Sequence, residues 1–407
     1  MRTVLATALA FALLPSAALS AAPTRAPTVA TPAHASPTQP WALQWRYRHE
    51  AVSDAGFARD AQADTLRLRA SWTQAFGPRW SAQLEAEGVV ELGDRFNSGA
   101  NGRTQFPSVP DARALEINQA WVEHRGTTAS VRVGRQMLVL DNGRFIGNGA
   151  WRQNTQSFDA LQLRWHPAPG VEVQAIHLDR VHRSAGDRAR NPLARERELR
   201  APLARIAWTL PNGSLVGYGY WIEDEDVPQA STRSLGLRWD GHWPLAGGWR
   251  AGLALERAQQ TAWADARGGS TAYAAIEPRL ERGPLVLRAG WQTLGAGRDR
   301  AFQTPLGSLH GFQGWADQFT VTPLGGLEDR WLSLQTDNSL LGWPARWELR
   351  VHDFQSEAGL DYGSEWNAAL TLTPAPGWST MLKYADYRAE GFSRDVRKLW
   401  LQLEVSM

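Results

Sequence analysis

The side chains with the clearest chemical potential are arginines concentrated in one segment, Val131–Trp165. A guanidinium group binds carboxylate and phosphate oxygens through paired hydrogen bonds. A ladder of such groups in a narrow passage would guide an acidic chain, provided that no single position binds it too tightly. An equally weighted alternative is a set of arginines in a solvated external loop. The candidates are Arg132, Arg135, Arg144 and Arg152, with Asp159 as an acid that could pair with one of them.

Further bases recur on the polar face of alternating segments elsewhere in the chain. If the apolar face meets lipid, this polar face lines a lumen in which bases modestly outnumber acids, and a basic lining favours the passage of anions. Most of these bases would instead pair with acids on neighbouring strands and stiffen the wall. The candidates for pore lining are Arg67, Arg69, Arg205, Arg238, Arg288 and Arg350.

A second unusual segment, residues 301–318, is rich in glycine and aromatic residues and contains His310, Gln313 and Trp315. Because an external loop rarely carries so many apolar side chains, we expect this segment to fold into the lumen or over its mouth. Its aromatic rings could stack on sugar rings or on an aromatic solute. The more conservative interpretation is that they pack against each other.

The elements that position these residues have a period of two. Leu66, Leu68 and Ala70, for example, alternate with Arg67 and Arg69, which is typical of a half-buried strand. Short connections such as Gly77-Pro78 and Pro211–Gly213 alternate with long ones such as residues 93–112 and 134–157. This pattern predicts an all-β, transmembrane antiparallel barrel of about 18 strands, with short periplasmic turns and long extracellular loops.

The N-terminal residues indicate the compartment. Arg2, a short apolar run and the small residues Ala18–Ser20 predict a secretory signal peptide over residues 1–20. Residues 21–40 are rich in Pro, Ala and Thr and are expected to be a disordered lead-in, so that the barrel domain spans residues 41–407. Together, the signal peptide and the barrel pattern predict a bacterial outer-membrane protein. The 21 tryptophans suit the two interfaces of a membrane.

Several function classes find no support in the sequence. The chain contains no cysteine, and its nine histidines have no metal-ligand spacing, so we expect no metal. It has no nucleophile-elbow, zinc-protease or P-loop motif, and we expect neither a catalytic residue nor a cofactor. The net charge of only +2 does not suggest nucleic acid as a partner.

Five motifs occur in order over residues 115–165: LEINQAWVEH, VGRQ, GRFIG, WRQ and FDALQL. With these motifs, and with TPLGSLHGFQGWAD further along, the chain resembles the alginate-export family of outer-membrane porins. The resemblance implies a monomeric 18-stranded barrel with an arginine-lined, anion-selective pore, and export of alginate, a polyuronate. It favours Arg132, Arg135, Arg152 and Asp159 as functional positions.

The sequence therefore predicts a passive channel for anionic solutes in the lipid of the outer membrane. Acidic saccharides, including alginate-like polyuronates in export, are the expected solutes. Uptake of aromatic or neutral small nutrients is an alternative, which a pore dominated by residues 301–318 would favour. An outer-membrane hydrolase, built from distant Ser, His and acidic residues on the barrel, is a third hypothesis.

Overall fold

The computed structural model describes residues 40–407, so the expected signal peptide and nearly all of the lead-in lie outside the described residues. Eighteen strands form a single sheet. The strands are β1 (Trp41–Asp54), β2 (Ala61–Phe76), β3 (Trp80–Glu91), β4 (Ala114–Arg125), β5 (Ala129–Gln136), β6 (Ser157–Ala168), β7 (Val171–His182), β8 (Glu196–Leu210), β9 (Gly213–Asp224), β10 (Thr232–Pro244), β11 (Arg250–Ala262), β12 (Thr271–Arg282), β13 (Leu285–Leu294), β14 (Leu327–Leu340), β15 (Trp343–Gln355), β16 (Asp361–Ala375), β17 (Trp378–Ala389) and β18 (Val396–Ser406).

Helical structure within residues 40–407 is limited to one turn of α-helix and three 3₁₀ turns. These are α1 (Pro192–Arg195) and the 3₁₀ turns Pro228–Ala230, Ala246–Gly248 and Leu309–Gly311. None of the helices in this part of the chain has the length and apolar character needed to cross a membrane.

The sheet closes on itself. Each strand pairs antiparallel with the next along the chain, and β18 pairs antiparallel with β1, with Trp45 opposite Val405. Closure leaves no unpaired strand edge. The predicted antiparallel barrel of about 18 strands is confirmed, and its connections alternate between short and long as the sequence indicated.

The two faces of the wall separate apolar from charged residues. On β5 and β6, Val133 and Leu161 lie opposite each other, and both are exposed on the outer face. The next pair, Arg132 and Gln162, points to the inside, because successive residues of a strand face opposite sides. At the ends that carry the short turns, the exposed outer face presents tryptophans, including Trp80, Trp165 and Trp378.

Two long connections fold into the barrel. We call residues 137–156, between β5 and β6, the first inner loop, and residues 295–326, between β13 and β14, the second inner loop. Phe145 of the first loop packs against Tyr218, Tyr273 and Phe302, and all four are buried. Full burial of such a ring contributes roughly 2 to 3 kcal/mol. The main hydrophobic cluster therefore lies inside the barrel, between the inner loops and the wall.

Candidate functional site

The two inner loops are joined by a short backbone seam. Ile146 and Leu306 form a parallel bridge, and the Gly147 nitrogen donates to the Leu306 carbonyl over 2.9 Å. The Gln156 amide donates to the carbonyls of Gly147 and Leu306 over 2.7 and 3.0 Å. The loops therefore act as one structure across the lumen.

One end of this structure is fixed by a buried cluster around Lys383 of β17. The Lys383 ammonium lies 3.8 Å from the ring centre of Trp151 and 3.9 Å from that of Trp315, and it donates to His310 Nε2 over 2.7 Å. The His310 ring stacks on Trp151 at 4.2 Å. A cation between two indole faces gains electrostatic energy from both rings. The cluster therefore fastens both loops to β17.

Asp317 is the acid of the same cluster. His310 Nδ1 donates to it over 2.7 Å, Arg152 over 2.8 Å and Lys398 over 2.9 Å. Burial alone would raise the pKa of Asp317, but His310, Lys398 and Arg152 outweigh burial and hold that pKa well below its usual value. Burial also lowers the pKa of His310 well below its usual value, and Lys383 acts in the same direction. The cluster thus contains a charged Asp317 and a neutral His310.

Strand β1 supports the first inner loop from the wall. The Arg48 guanidinium lies 4.2 Å from the ring centre of Trp151 and donates to the Trp151 carbonyl over 2.7 Å. Its other amino group pairs with Asp111 at 3.3 Å. Arg46 donates to the carbonyl of Ala150 over 3.3 Å. These two arginines therefore hold the backbone of the loop.

The other end of the loop pair is fixed by Arg144. This side chain is 1% exposed, donates to Gln313 Oε1 over 2.7 Å and lies 4.7 Å from the ring centre of Phe312. Burial lowers the pKa of Arg144. The structure therefore brings the predicted Arg144 and Gln313 together as a contact between the inner loops.

The second inner loop folds inward, as the sequence predicted, but its candidate solute-binding side chains are occupied by protein contacts. Gln313 and Trp315 are each 4% exposed. The Trp315 and Ala316 nitrogens donate to Glu365 over 2.5 and 3.0 Å. His310, Gln313 and Trp315 thus anchor the loop, and packing among the loop's own side chains is the interpretation that the structure supports.

Most of the predicted wall arginines are engaged in ion pairs. A pair of this kind cancels the positive charge, and a pair that joins neighbouring strands also stiffens the wall. Arg205 instead pairs with an acid of the first inner loop, and Arg350 pairs with an acid of its own strand. The pairs are Arg67 and Arg69 with Glu87 at 3.8 and 2.5 Å, Arg132 with Glu123 at 2.5 Å, Arg205 with Asp141 at 2.7 Å, Arg238 with Glu256 at 2.9 Å, and Arg350 with Glu348 at 2.7 Å.

The prediction that Arg135 and Asp159 line the pore is wrong. Both have the same parity along their strands as the exposed Val133 and Leu161, and they face each other on the outer side of the wall. Arg135 pairs with Asp159 at 2.8 Å, and His182 lies 2.9 Å from the same carboxylate. Because alternate residues of β5 and β6 face opposite sides of the wall, Arg135 and Asp159 point away from the lumen. They do so although both residues lie next to the first inner loop.

Two inward arginines differ from the paired ones. Arg288 on β13 and Arg164 on β6 have no carboxylate within ion-pair distance in residues 40–407, and the Arg164 Nε is buried without a hydrogen-bond partner there. Arg288 was predicted, whereas Arg164 was not singled out. The alternation of Gln162 and Arg164 with Leu161 and Leu163 already placed it inside, so its parity was the available signal.

No arrangement of three or more His, Asp or Glu side chains in residues 40–407 could hold a metal ion.

Comparisons with known proteins agree with the barrel and with the motifs. Residues 39–190 match the sequence model for alginate export. By this match, residues 39–190 are similar to the alginate export family. The matched residues include all five motifs from LEINQAWVEH to FDALQL, and the closed 18-stranded barrel has the fold of bacterial outer-membrane porins.

Solved structures show where else this fold occurs. The chain is similar to the outer-membrane protein OpdK of Pseudomonas aeruginosa, with a TM-score of 0.68 and 15% identity over 90% of this chain and 98% of that chain. It is similar to OccAB4 of Acinetobacter baumannii, with a TM-score of 0.68 and 12% identity over 90% of this chain and 97% of that chain. The chain is also similar to OccK2 (OpdF) of P. aeruginosa, solved with glucuronate. The TM-score is 0.65 and the identity 15% over 90% of this chain and 98% of that chain. A comparison with curated protein sequences gives no match.

Proposed function

We propose that this barrel is a passive channel for anionic solutes, with acidic saccharides as the main class. One observation carries the proposal: Arg164 and Arg288 point inward without a carboxylate partner in the described chain. Their strands, β6 and β13, lie on nearly opposite walls of the closed sheet. A passing carboxylate therefore meets unpaired guanidinium groups on both sides.

The unpaired arginines suit brief contacts with a solute. A guanidinium group already bound to a glutamate would have to give up that pair before it could bind a solute, whereas a free one binds a carboxylate directly. Rapid passage also requires that each contact be weak enough to break. Two separated sites within a wall of neutralised pairs meet both conditions.

The comparisons support an acidic solute. Among structures with this fold, OccK2 was solved with glucuronate and OpdK with vanillate, and both ligands carry a carboxylate. Alginate, after which the family is named, is a chain of uronates. The alternative of uptake of aromatic or neutral small nutrients receives less support at the inner loops, because Trp151 and Trp315 already enclose Lys383. We propose that the barrel acts as a monomer in outer-membrane lipid.

The decisive experiment compares ion selectivity in planar bilayers. Under a salt gradient, the wild-type reversal potential should show an anion preference. In Arg164→Gln/Arg288→Gln, removal of two lumen charges should lower the anion-to-cation permeability ratio by about threefold, because charged groups in the lumen wall set selectivity. Oligouronate should block the wild-type current more strongly than the current of the variant.

Arg257→Gln is the matched control. Arg257 is an exposed residue opposite the outward-facing Leu237, so this substitution removes a charge from the barrel without touching the lumen. It should leave the reversal potential unchanged. A cation preference in the wild type, or equal selectivity in the double variant and the wild type, would show that the proposed solute class is wrong.

A further inference from the structure

A cavity of about 740 Å³ lies at the outer mouth, away from the lumen arginines. Three long connections enclose it: residues 225–231, residues 263–270 and the second inner loop. All three join strands at the end opposite to the short turns. A solute arriving from outside therefore meets this cavity before it reaches the lumen.

The backbone around the cavity is fixed by a reciprocal amide clip. The Gln303 side chain donates to the Thr322 carbonyl over 2.8 Å and accepts from the Thr322 nitrogen over 3.1 Å. The Gln260 amide of β11 likewise donates to the Gln303 carbonyl over 2.8 Å and accepts from its nitrogen over 3.0 Å. The cavity is therefore preformed, and binding would cost little ordering of the loop.

Arg300 supplies an unpartnered guanidinium at this cavity. Its Nε and Nη1 atoms are buried and have no hydrogen-bond partner in residues 40–407. Gly268 gives the side chain room, since a Cβ there would lie 2.9 Å from Arg300 Cδ. Burial lowers the pKa of Arg300. Buried donors of this kind gain free energy when they bind an anion.

The other lining residues define the shape of the ligand. Arg267 adds a second positive charge and Asp299 a negative one, so that the cavity keeps a net positive charge. Val321 and Leu324 line another side and are 71% and 69% exposed. Large apolar side chains so exposed beside a cationic group suit a molecule with an acidic end and a flat apolar body.

We propose that this cavity is a binding site for carboxylates with an apolar body, of which aromatic carboxylates are the simplest. Arg300 and Arg267 bind the carboxylate, while Val321 and Leu324 contact the apolar part. The inference rests on the proposed anion channel, because it makes the cavity a collecting site above the lumen. It extends the solute class from saccharide acids to aromatic acids.

Binding of 4-fluorobenzoate to the purified barrel, followed by ¹⁹F NMR line broadening, tests this site. In Arg267→Gln/Arg300→Gln, the dissociation constant should rise about tenfold, because two charge-assisted contacts are lost. Neutral 4-fluorobenzyl alcohol should bind the wild type more weakly than the acid. Val321→Ser/Leu324→Ser, which leaves both arginines in place, should also weaken binding of the acid.

Arg298→Gln is the matched control, because Arg298 is exposed on the same loop and does not line the cavity. It should leave binding unchanged. An equal loss in Arg298→Gln would mean that only surface charge attracts the probe, and unchanged binding in both double variants would also overturn the site. A loss in Arg164→Gln/Arg288→Gln alone would place the probe in the lumen. The reversal potential tests the channel itself separately, so either proposal can fail alone.

Discussion

Gly147 lies where the two inner loops touch, and the contact there is too close for a side chain. A Cβ at this position would lie 2.8 Å from the Ser308 nitrogen and 2.9 Å from the Gly143 carbonyl oxygen, in addition to contacting Ser308 Oγ. The hydroxyl could rotate away, but the two backbone atoms could not. A glycine is therefore required for the seam between the loops.

Substitution of this glycine should loosen the seam. In Gly147→Ala, the loops must separate slightly to accept the methyl group, at a cost of about 1 to 3 kcal/mol. We expect noisier open-channel currents and faster trypsin cleavage within the inner loops. Gly269→Ala, at a position with nothing within 4 Å of the added Cβ, should behave as the wild type. Identical currents in all three proteins would contradict a rigid seam.

At the residue scale, the sequence predicted which face a side chain occupies better than what it touches. The alternation places Arg132 and Arg288 on the inner face, as in the structure, whereas Arg135 and Asp159 were assigned to the lumen from the family resemblance and from their position beside the inner loop. Whether an inward arginine is paired depends on the register between neighbouring strands. A single sequence does not reveal that register, which explains why Arg164 was not singled out.

At the scale of elements, docking of the second inner loop depends on a pH-sensitive contact at His310. The neutral His310 ring accepts a hydrogen bond from Lys383 and donates one to Asp317. Its pKa in the docked loop lies well below the ordinary 6.5. A released loop would therefore bind a proton at His310 that the docked loop excludes, and acid favours release.

Docking of the loops should weaken as the pH falls below about 6.5, by up to about 1.4 kcal/mol for each pH unit until the docked His310 itself is protonated. Asp317 keeps its charge in this range, because its pKa lies well below 3.8. Closure events in single-channel records at pH 7.5 and pH 5 would measure the effect. His310→Gln retains a donor and an acceptor but does not titrate, so its records should be similar at both values. A pH response of wild-type size in this variant would exclude His310 as the cause.

The elements themselves were well predicted from local signals. A period of two, glycine and proline at short turns, and polar long connections sufficed for 18 strands, because each strand carries its own alternation. For the inner loops, the sequence predicted that residues 301–318 fold inward or over the mouth, but not which residues the two loops bring into contact. Their seam joins residues such as Ile146 and Leu306, far apart in the chain, whose pairing no local pattern specifies.

For the whole molecule, the alternation of connections implies one orientation in the membrane. Long loops face the outside of the cell and short turns the periplasm. A cysteine placed at Gly269 should react with an impermeant maleimide on intact cells, whereas one at Gly342, in the turn between β14 and β15, should react only after the outer membrane is permeabilised. Since the protein has no native cysteine, the label reports these sites alone. The reverse labelling pattern would show that the barrel has the opposite orientation in the membrane.

The pairing of β1 with β18 has a consequence for the order of assembly. These strands are the first and last of the chain, so their contact has the largest separation along the sequence and forms slowly. The anchors of the inner loops lie on both sides of this junction, with Arg48 on β1 and Lys398 on β18. The loops can thus dock fully only after the cylinder has closed. A folding intermediate halted before closure would keep a wide, unobstructed interior. The two inner loops would be the last part of the molecule to reach their final positions.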